Sequence, residues 1–210
     1  MPTRKVHFIK NNLYHIYNRG NRKQTIFFQD SDYIRFLKKA QEYKEKYQVE
    51  IVAYCLMPNH FHFILKQLGE IPLSQFIGTL LNSYARYASV RYELPVGHVF
   101  QGRFGAKLIN SPESLLQVSR YIHLNPIKDI LLALDYTYKD SRRIARNKAL
   151  ISKLREYPWS SYPFYLGSRR LSHVTICKDP VIKIEANAAG YRKFVESKIT
   201  DDDILTLEEF

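Results

Sequence analysis

Short apolar-rich runs mark three β-strands in the first third of the chain: 12–18 (Asn12 to Asn18), 49–56, rich in Val, Ile and Tyr, and 60–66, where histidines alternate with apolar residues. Between the first two, Tyr33, Phe36, Leu37, Ala40, Tyr43 and Tyr47 recur at helical spacing, and Asp30 or Ser31 is a suitable cap for that helix. Pro58 and Asn59 turn the second strand back into the third, as a hairpin. Pro72 opens a second helix whose apolar stripe is Leu73, Phe76, Ile77, Leu80, Leu81, Tyr84 and Tyr87 or Ala88. Residues 106–110 read as a fourth strand. Ser111 and Pro112 then start a third helix, predicted to stop near Asn125 because Pro126 disfavours helical dihedrals in the residue before it.

Strand, helix, strand, strand, helix, strand is the order of a split βαβ arrangement. The predicted class is therefore α+β: a ferredoxin-like or RRM-like antiparallel sheet with helices on one face. Within Met57–Leu65 the strand period places His60 and His62 on one face with Ile64 and Lys66, and Phe61, Phe63 and Leu65 on the other. If the phenylalanines meet the helices, both imidazoles lie on the free face. They are then either the wet side of an ordinary sheet or a pair able to grip one metal ion.

Beyond Pro126 the pattern weakens. Residues 139–155 are strongly basic, with Ala149, Leu150, Ile151 and Leu154 suggesting a helix; Tyr157–Tyr162 holds the only tryptophan and is expected to dock on the core. A further short helix is predicted over 187–196, before an acidic end. From Glu196 onward there are six carboxylates against one lysine, so the rest of the chain is even more basic than its net charge of +12. A body of this charge attracts polyanions, nucleic acid foremost, and the sixteen tyrosines and twelve phenylalanines suit base stacking as well as a core. No run of apolar residues is long enough to span a membrane and no signal-peptide pattern opens the chain, so a cytoplasmic protein is expected, nucleoid-associated when bound to DNA. Cys55 and Cys177 show no metal-binding spacing, and Cys55 reads as a buried thiol.

On the third helix Gln117, Tyr121 and Asn125 are each four residues apart, while Leu115, Val118 and Ile122 form the face that buries. The polar stripe is thus expected to point away from the core contact, as solvated surface or as a tyrosine nucleophile with an amide oxygen one turn on. His60-Phe61-His62 resembles the HUH signature, and a downstream helix with a single tyrosine completes the pattern of single-tyrosine HUH transposases. Five ordered blocks resemble the REP-associated tyrosine transposases: Tyr14–Gly20, Met57–His62, Gly97–Phe104, Arg120–Pro126 and Tyr157–Tyr162.

The resemblance implies a transposase that cleaves and rejoins single-stranded DNA, on hairpin substrates, through a covalent 5′-phosphotyrosine. Tyr121 would be the nucleophile, and His60, His62 and Asn125 would hold Mg²⁺ or Mn²⁺. Related insertion-sequence enzymes usually carry Gln where this chain has Asn125. Arg19, Arg22, Lys23, Arg103, Lys107 and Gln117 are the candidate DNA contacts. His15 would support a metal-holding histidine from behind, contact substrate or simply pack in its strand; Tyr17, Phe100 and Phe104 would stack on bases or fill the core. Residues 1–132 would form the catalytic domain and 133–210 a basic insertion and C-terminal extension, working as monomer or homodimer. Two other readings compete: a non-catalytic nucleic-acid-binding module on an RRM-like sheet, and a metal-dependent hydrolase of small phosphate esters.

Overall fold

The computed structural model describes residues 6–95, 99–132, 141–168, 176 and 188–200. Cys177, Gly97, His98 and the acidic end beyond Thr200 lie outside the described residues. The elements are β1 (Leu13–Arg19), a short 3-10 turn (Asn21–Lys23), α1 (Asp30–Lys46), β2 (Val49–Met57), β3 (His60–Gln67), α2 (Leu73–Arg91), β4 (Gly105–Ile109), α3 (Pro112–Leu132), α4 (Ser141–Glu156), α5 (Tyr162–Tyr165) and α6 (Ala188–Thr200). The strands form one sheet in the order β2-β3-β1-β4, antiparallel throughout. The α+β, ferredoxin-like expectation is met.

Helices α1 and α2 cover the face carrying Phe61 and Phe63. Phe36 of α1 stands 5.5 Å from the Phe61 ring and meets Tyr84 of α2 edge-on at 5.3 Å. Phe100 joins this core against Phe61 and Tyr84, and Phe104 is buried beside Phe8. Both are therefore packing residues rather than free platforms for bases. The cap of α1 is Gln29, not Asp30 or Ser31, because Asp32 closes a capping box from three residues further on. The Asp32 carboxylate is wholly buried and accepts from the Phe28 and Gln29 amides and from the hydroxyls of Tyr87 and Tyr92.

The opposite face is not free. Helix α3 lies across it, against β2 and β3, with Leu115, Val118 and Ile122 buried as anticipated. The helix also runs through Pro126 to Leu132. An internal proline costs about 3 kcal/mol in an isolated helix. Here Leu124 and Ile127 on either side of it are fully buried, and tertiary packing outweighs that cost. Because this second face is covered, β2 is buried on both sides rather than alternating.

β2 is also an edge strand, and its outer rim is closed by the docked segment around Trp159. The Leu56 amide donates to the Trp159 carbonyl at 2.8 Å and the Ser161 amide to the Tyr54 carbonyl at 2.9 Å. Tyr157 and Tyr165 donate to the Leu56 and Val52 carbonyls, each at 2.8 Å. The rim is thereby denied to another strand. The Trp159 ring stacks on Tyr33 at 4.5 Å.

Behind α3, fully buried His123 bonds Tyr191 Oη through Nδ1 (2.7 Å) and Ser161 Oγ through Nε2 (2.8 Å), tying α3 to α6 and to the start of α5. Arg155 of α4 forms a paired bond with Glu196 of α6.

Replacing Asp32 with alanine removes the shared acceptor of two backbone amides and two tyrosine hydroxyls, and should lower unfolding free energy by about 2–4 kcal/mol in urea titrations. Burial depresses the His123 pKa from 6.5 to about 3. The unfolded chain therefore takes up a proton that the fold refuses. This contribution to stability is complete above about pH 6.5 and declines as pH falls toward 3, at up to about 1.4 kcal/mol per pH unit. Urea titrations across that window should show a shallower pH slope for His123→Gln than for the parent.

Candidate active site

Strand register assembles the histidine face. Across the β1–β3 ladder Arg19 stands opposite His60, Tyr17 opposite His62 and His15 opposite Ile64. On the other side of β1, Gly105 pairs with Tyr17 and Lys107 with His15. Partners in a ladder share a face, so Arg19, Tyr17, His15, His60, His62 and Lys107 belong to one surface. Gly105 has a particular reason to lack a side chain: a Cβ there would collide with the Tyr17 ring. That ring lies 5.1 Å from His15 and 6.0 Å from His62. Tyr17 is thus the one of the three proposed stacking aromatics that stays on the site, half-buried.

His15 Nε2 and His62 Nδ1 are 3.0 Å apart. Both rings are more than nine-tenths buried. Burial, followed by the Lys107 ammonium, depresses His15 to about 4. Burial, then the neighbouring His15 and His60, holds His62 well below its ordinary value. Both imidazoles are neutral at physiological pH. If His62 Nδ1–H donates to His15, the Nε2 lone pair of His62 is left for a ligand, the usual arrangement for a metal-binding histidine and its supporting partner. In that tautomer the His15 proton sits on Nδ1, a buried atom with no hydrogen-bond partner.

His60, half-buried, bonds Asn59 Oδ1 through Nδ1 at 2.7 Å and meets Asn125 Oδ1 through Nε2 at 3.1 Å. The Asn125 amide nitrogen is occupied in turn, donating to the Tyr121 carbonyl at 2.9 Å. The Tyr121 ring stands edge-on to His62 at 5.3 Å and 6.0 Å from His15. Lys128 places its Nζ 3.4 Å from the Tyr121 hydroxyl. One chain therefore brings His60, His62, Asn125, Tyr121 and His15 into one cluster.

The polar stripe on α3 does not point away from the core contact. Tyr121 and Asn125 are buried against the sheet, and only Gln117 is exposed, bonded to Arg120. The sheet's own polar patch explains the reversal. Two histidines facing an apolar helix would be stranded, and the tyrosine and the amide give them polar company. His15 is likewise more than a packed strand residue, since its ring supports His62. Lys128 escaped notice in the sequence because it lies beyond the expected helix end. Its signal is the spacing of seven from Tyr121, two turns along one helix face.

Among the described residues no group of three or more His, Cys, Asp or Glu side chains could hold a metal ion. A cation here would take Asn125 as its third donor. Two imidazoles and an amide oxygen suit such a role, leaving further positions for water and phosphate.

Arg19, Arg103 and Lys107 are exposed; Arg19, bonded to Gln101, and Lys107 lie on the histidine face, and Arg103 on the loop before β4. Arg22 and Lys23 occupy the turn after β1 in left-handed conformations, with φ of 50° and 62°.

The model of the IS200-like transposases matches residues 8–125, more than half of the chain. This chain belongs to that family. A Haemophilus influenzae relative assigned as a REP-associated tyrosine transposase is 28% identical over 138 residues, covering 57% of this chain and 78% of its own. A solved REP-associated tyrosine transposase, bound to a REP hairpin, superposes with a TM-score of 0.57 at 18% identity, over 81% of this chain and 88% of that one. It shares the fold of this transposase-family chain. No described helix is long and apolar enough to cross a membrane.

Gly105→Ala should push the Tyr17 ring off its seat and cost about 1–3 kcal/mol of stability in chemical denaturation.

Proposed function

We propose that this chain is a divalent-metal-dependent transposase of the REP-associated type, which cleaves and rejoins single-stranded DNA beside a hairpin. The observation that carries the reading is the meeting of the Tyr121 ring with His62 while Asn125, one turn further along α3, reaches His60. A protein that only bound nucleic acid would need none of these buried contacts.

Tyr121 is the nucleophile. Its phenol oxygen forms a bond to phosphorus as the bond from phosphorus to the 3′ oxygen breaks, giving a 5′-phosphotyrosine and a free 3′-hydroxyl. The exchange conserves the phosphodiester for rejoining, so no nucleotide cofactor is needed. Phenols ordinarily ionise near pH 10. The Lys128 ammonium beside the hydroxyl offsets the charge that builds on oxygen as its proton leaves. His60, His62 and Asn125 are the residues to hold Mg²⁺ or Mn²⁺, with His15 fixing the tautomer of His62. Bound there, the ion would polarise the non-bridging oxygens of the scissile phosphate.

Arg19 and Lys107 flank this face, and Arg22, Lys23, Arg103 and Gln117 extend the proposed DNA contacts. Residues 1–132 form the proposed catalytic unit and 133–210 its extension. The Tyr121 ring lies 5.3 Å from His62 of the same chain, which supports a tyrosine acting in cis, in a monomer or a homodimer.

Incubation with labelled hairpin DNA and Mn²⁺, followed by denaturing electrophoresis, should give a covalent protein–DNA band. Tyr121→Phe should abolish it while leaving affinity within about twofold, and His60→Ala should cut its yield about 10–100-fold at limiting Mn²⁺. A covalent band from Tyr121→Phe refutes the reading; binding without cleavage by the parent protein favours the RRM-like binding module.

A further inference from the structure

The face of the fold away from the histidines carries a second basic feature. Between α1 and α2 lies an open cleft of about 760 Å³ lined by Arg35, Arg86 and Arg91, with Thr79, Asn82 and Ser83 between them and no carboxylate in the lining. The α2 residues recur three and four apart, so they form a continuous row along one helix face. From Thr79 to Arg91 the row is about 18 Å long at the helical rise. That length is enough to follow several phosphates of a strand carrying one charge per about 3.4 Å of axis.

The cleft is braced rather than merely charged. The Arg35 guanidinium lies 4.4 Å over the Tyr87 ring. The Tyr87 hydroxyl is anchored on buried Asp32 at 2.8 Å, and Thr79 is bonded to Tyr47 at 2.9 Å. Stacking covers one face of a guanidinium and leaves the N–H donors at its edge available to an anion. The nearby carboxylate of Glu42 is engaged by Lys39 at 2.6 Å. Among the described residues no ion pair ties Arg35, Arg86 or Arg91 to a carboxylate.

We propose that this cleft is a second nucleic-acid site, in which the three arginines bind the phosphodiester backbone away from the reacting segment. The inference rests on the nucleic-acid reading above and extends it. A row of uncharged hydrogen-bond donors interspersed with planar cations matches a regular chain of phosphates better than an irregular acidic peptide. Since α1 and α2 cover one face of the sheet and the histidine–tyrosine cluster occupies the other, a single DNA touching both must pass around the protein. A short oligonucleotide confined to the cluster would never reach the cleft.

The test measures affinity by fluorescence anisotropy across a salt series, using a stem-loop with a single-stranded flank, an unstructured strand of equal length, and the flank alone. The variants are Arg35→Gln/Arg86→Gln/Arg91→Gln, the Arg86→Gln/Arg91→Gln pair that keeps the Arg35–Tyr87 stack, and a triple lysine replacement that keeps the charge. For the long probes the slope of log affinity against log salt should shallow by about 2–3 in the triple glutamine variant and by about 1–2 in the pair, and stay unchanged in the lysine variant. Affinity for the flank alone and its cleavage should not change. Whichever long probe shows the greater loss identifies stem or single strand as the occupant.

An unaltered slope in the triple variant overturns the site, as does an equal loss on the flank alone. Competition by polyglutamate without any change in the DNA slope would also overturn it, assigning the cleft to an acidic protein instead. The covalent-band assay with Tyr121→Phe is scored separately, so failure of the catalytic reading and failure of the cleft are distinguishable.

Discussion

A polar patch in the middle of a closed core governs this structure. His15 and His62 sit on a sheet face otherwise made of residues such as Ala53, Cys55 and Ile64, too apolar to be left in water and too polar to accept a purely hydrophobic cover. Helix α3 resolves the conflict by presenting two kinds of residue to the same face. Leu115, Val118 and Ile122 bury apolar area, and Tyr121 and Asn125 meet the imidazoles. The site is the seam along which the sheet and its second cover are joined.

The same logic extends outward. With α3 in place, β2 is enclosed on both faces and the Trp159 segment closes its edge. His123, on the far side of α3, is satisfied by Tyr191 and Ser161 and binds the helix to the C-terminal elements. The polar contacts of α3 therefore fall on two sides, to the histidines of the sheet and to the C-terminal elements behind it. Burial lowers the pKa of His15 and His62 on one side and of His123 on the other, and the sheet-facing pair has exposed Arg19 and Lys107 on its own face.

Much of this was readable from residue order. Short apolar-rich runs located three strands to within a residue, and the split of Phe61 and Phe63 from His60 and His62 onto opposite faces, read from the period of two, held. Local rules mislead where tertiary packing decides. Pro126 looked like a terminus because local sterics say so; the fully buried Leu124 and Ile127 carry the helix past it. The stripe Gln117, Tyr121, Asn125 looked solvated because polar residues usually are, and a single chain pattern cannot reveal that a polar sheet face awaits them. Asp30 looked like a cap because the carboxylate that closes the box, Asp32, lies inside the helix. The contact of His15 depends on a pairing across 47 residues, and that of Lys128 on a helix continuing past the expected end to bring it two turns from Tyr121.

Tyr121 and Asn125 are held on consecutive turns of one unbroken helix, and the amide of the second is bonded to the carbonyl of the first. They are mechanically inseparable. Any displacement of that rod large enough to move the Tyr121 ring away from His62 also draws the Asn125 amide oxygen away from His60, so the proposed nucleophile and the proposed ligand oxygen engage or disengage as a single unit.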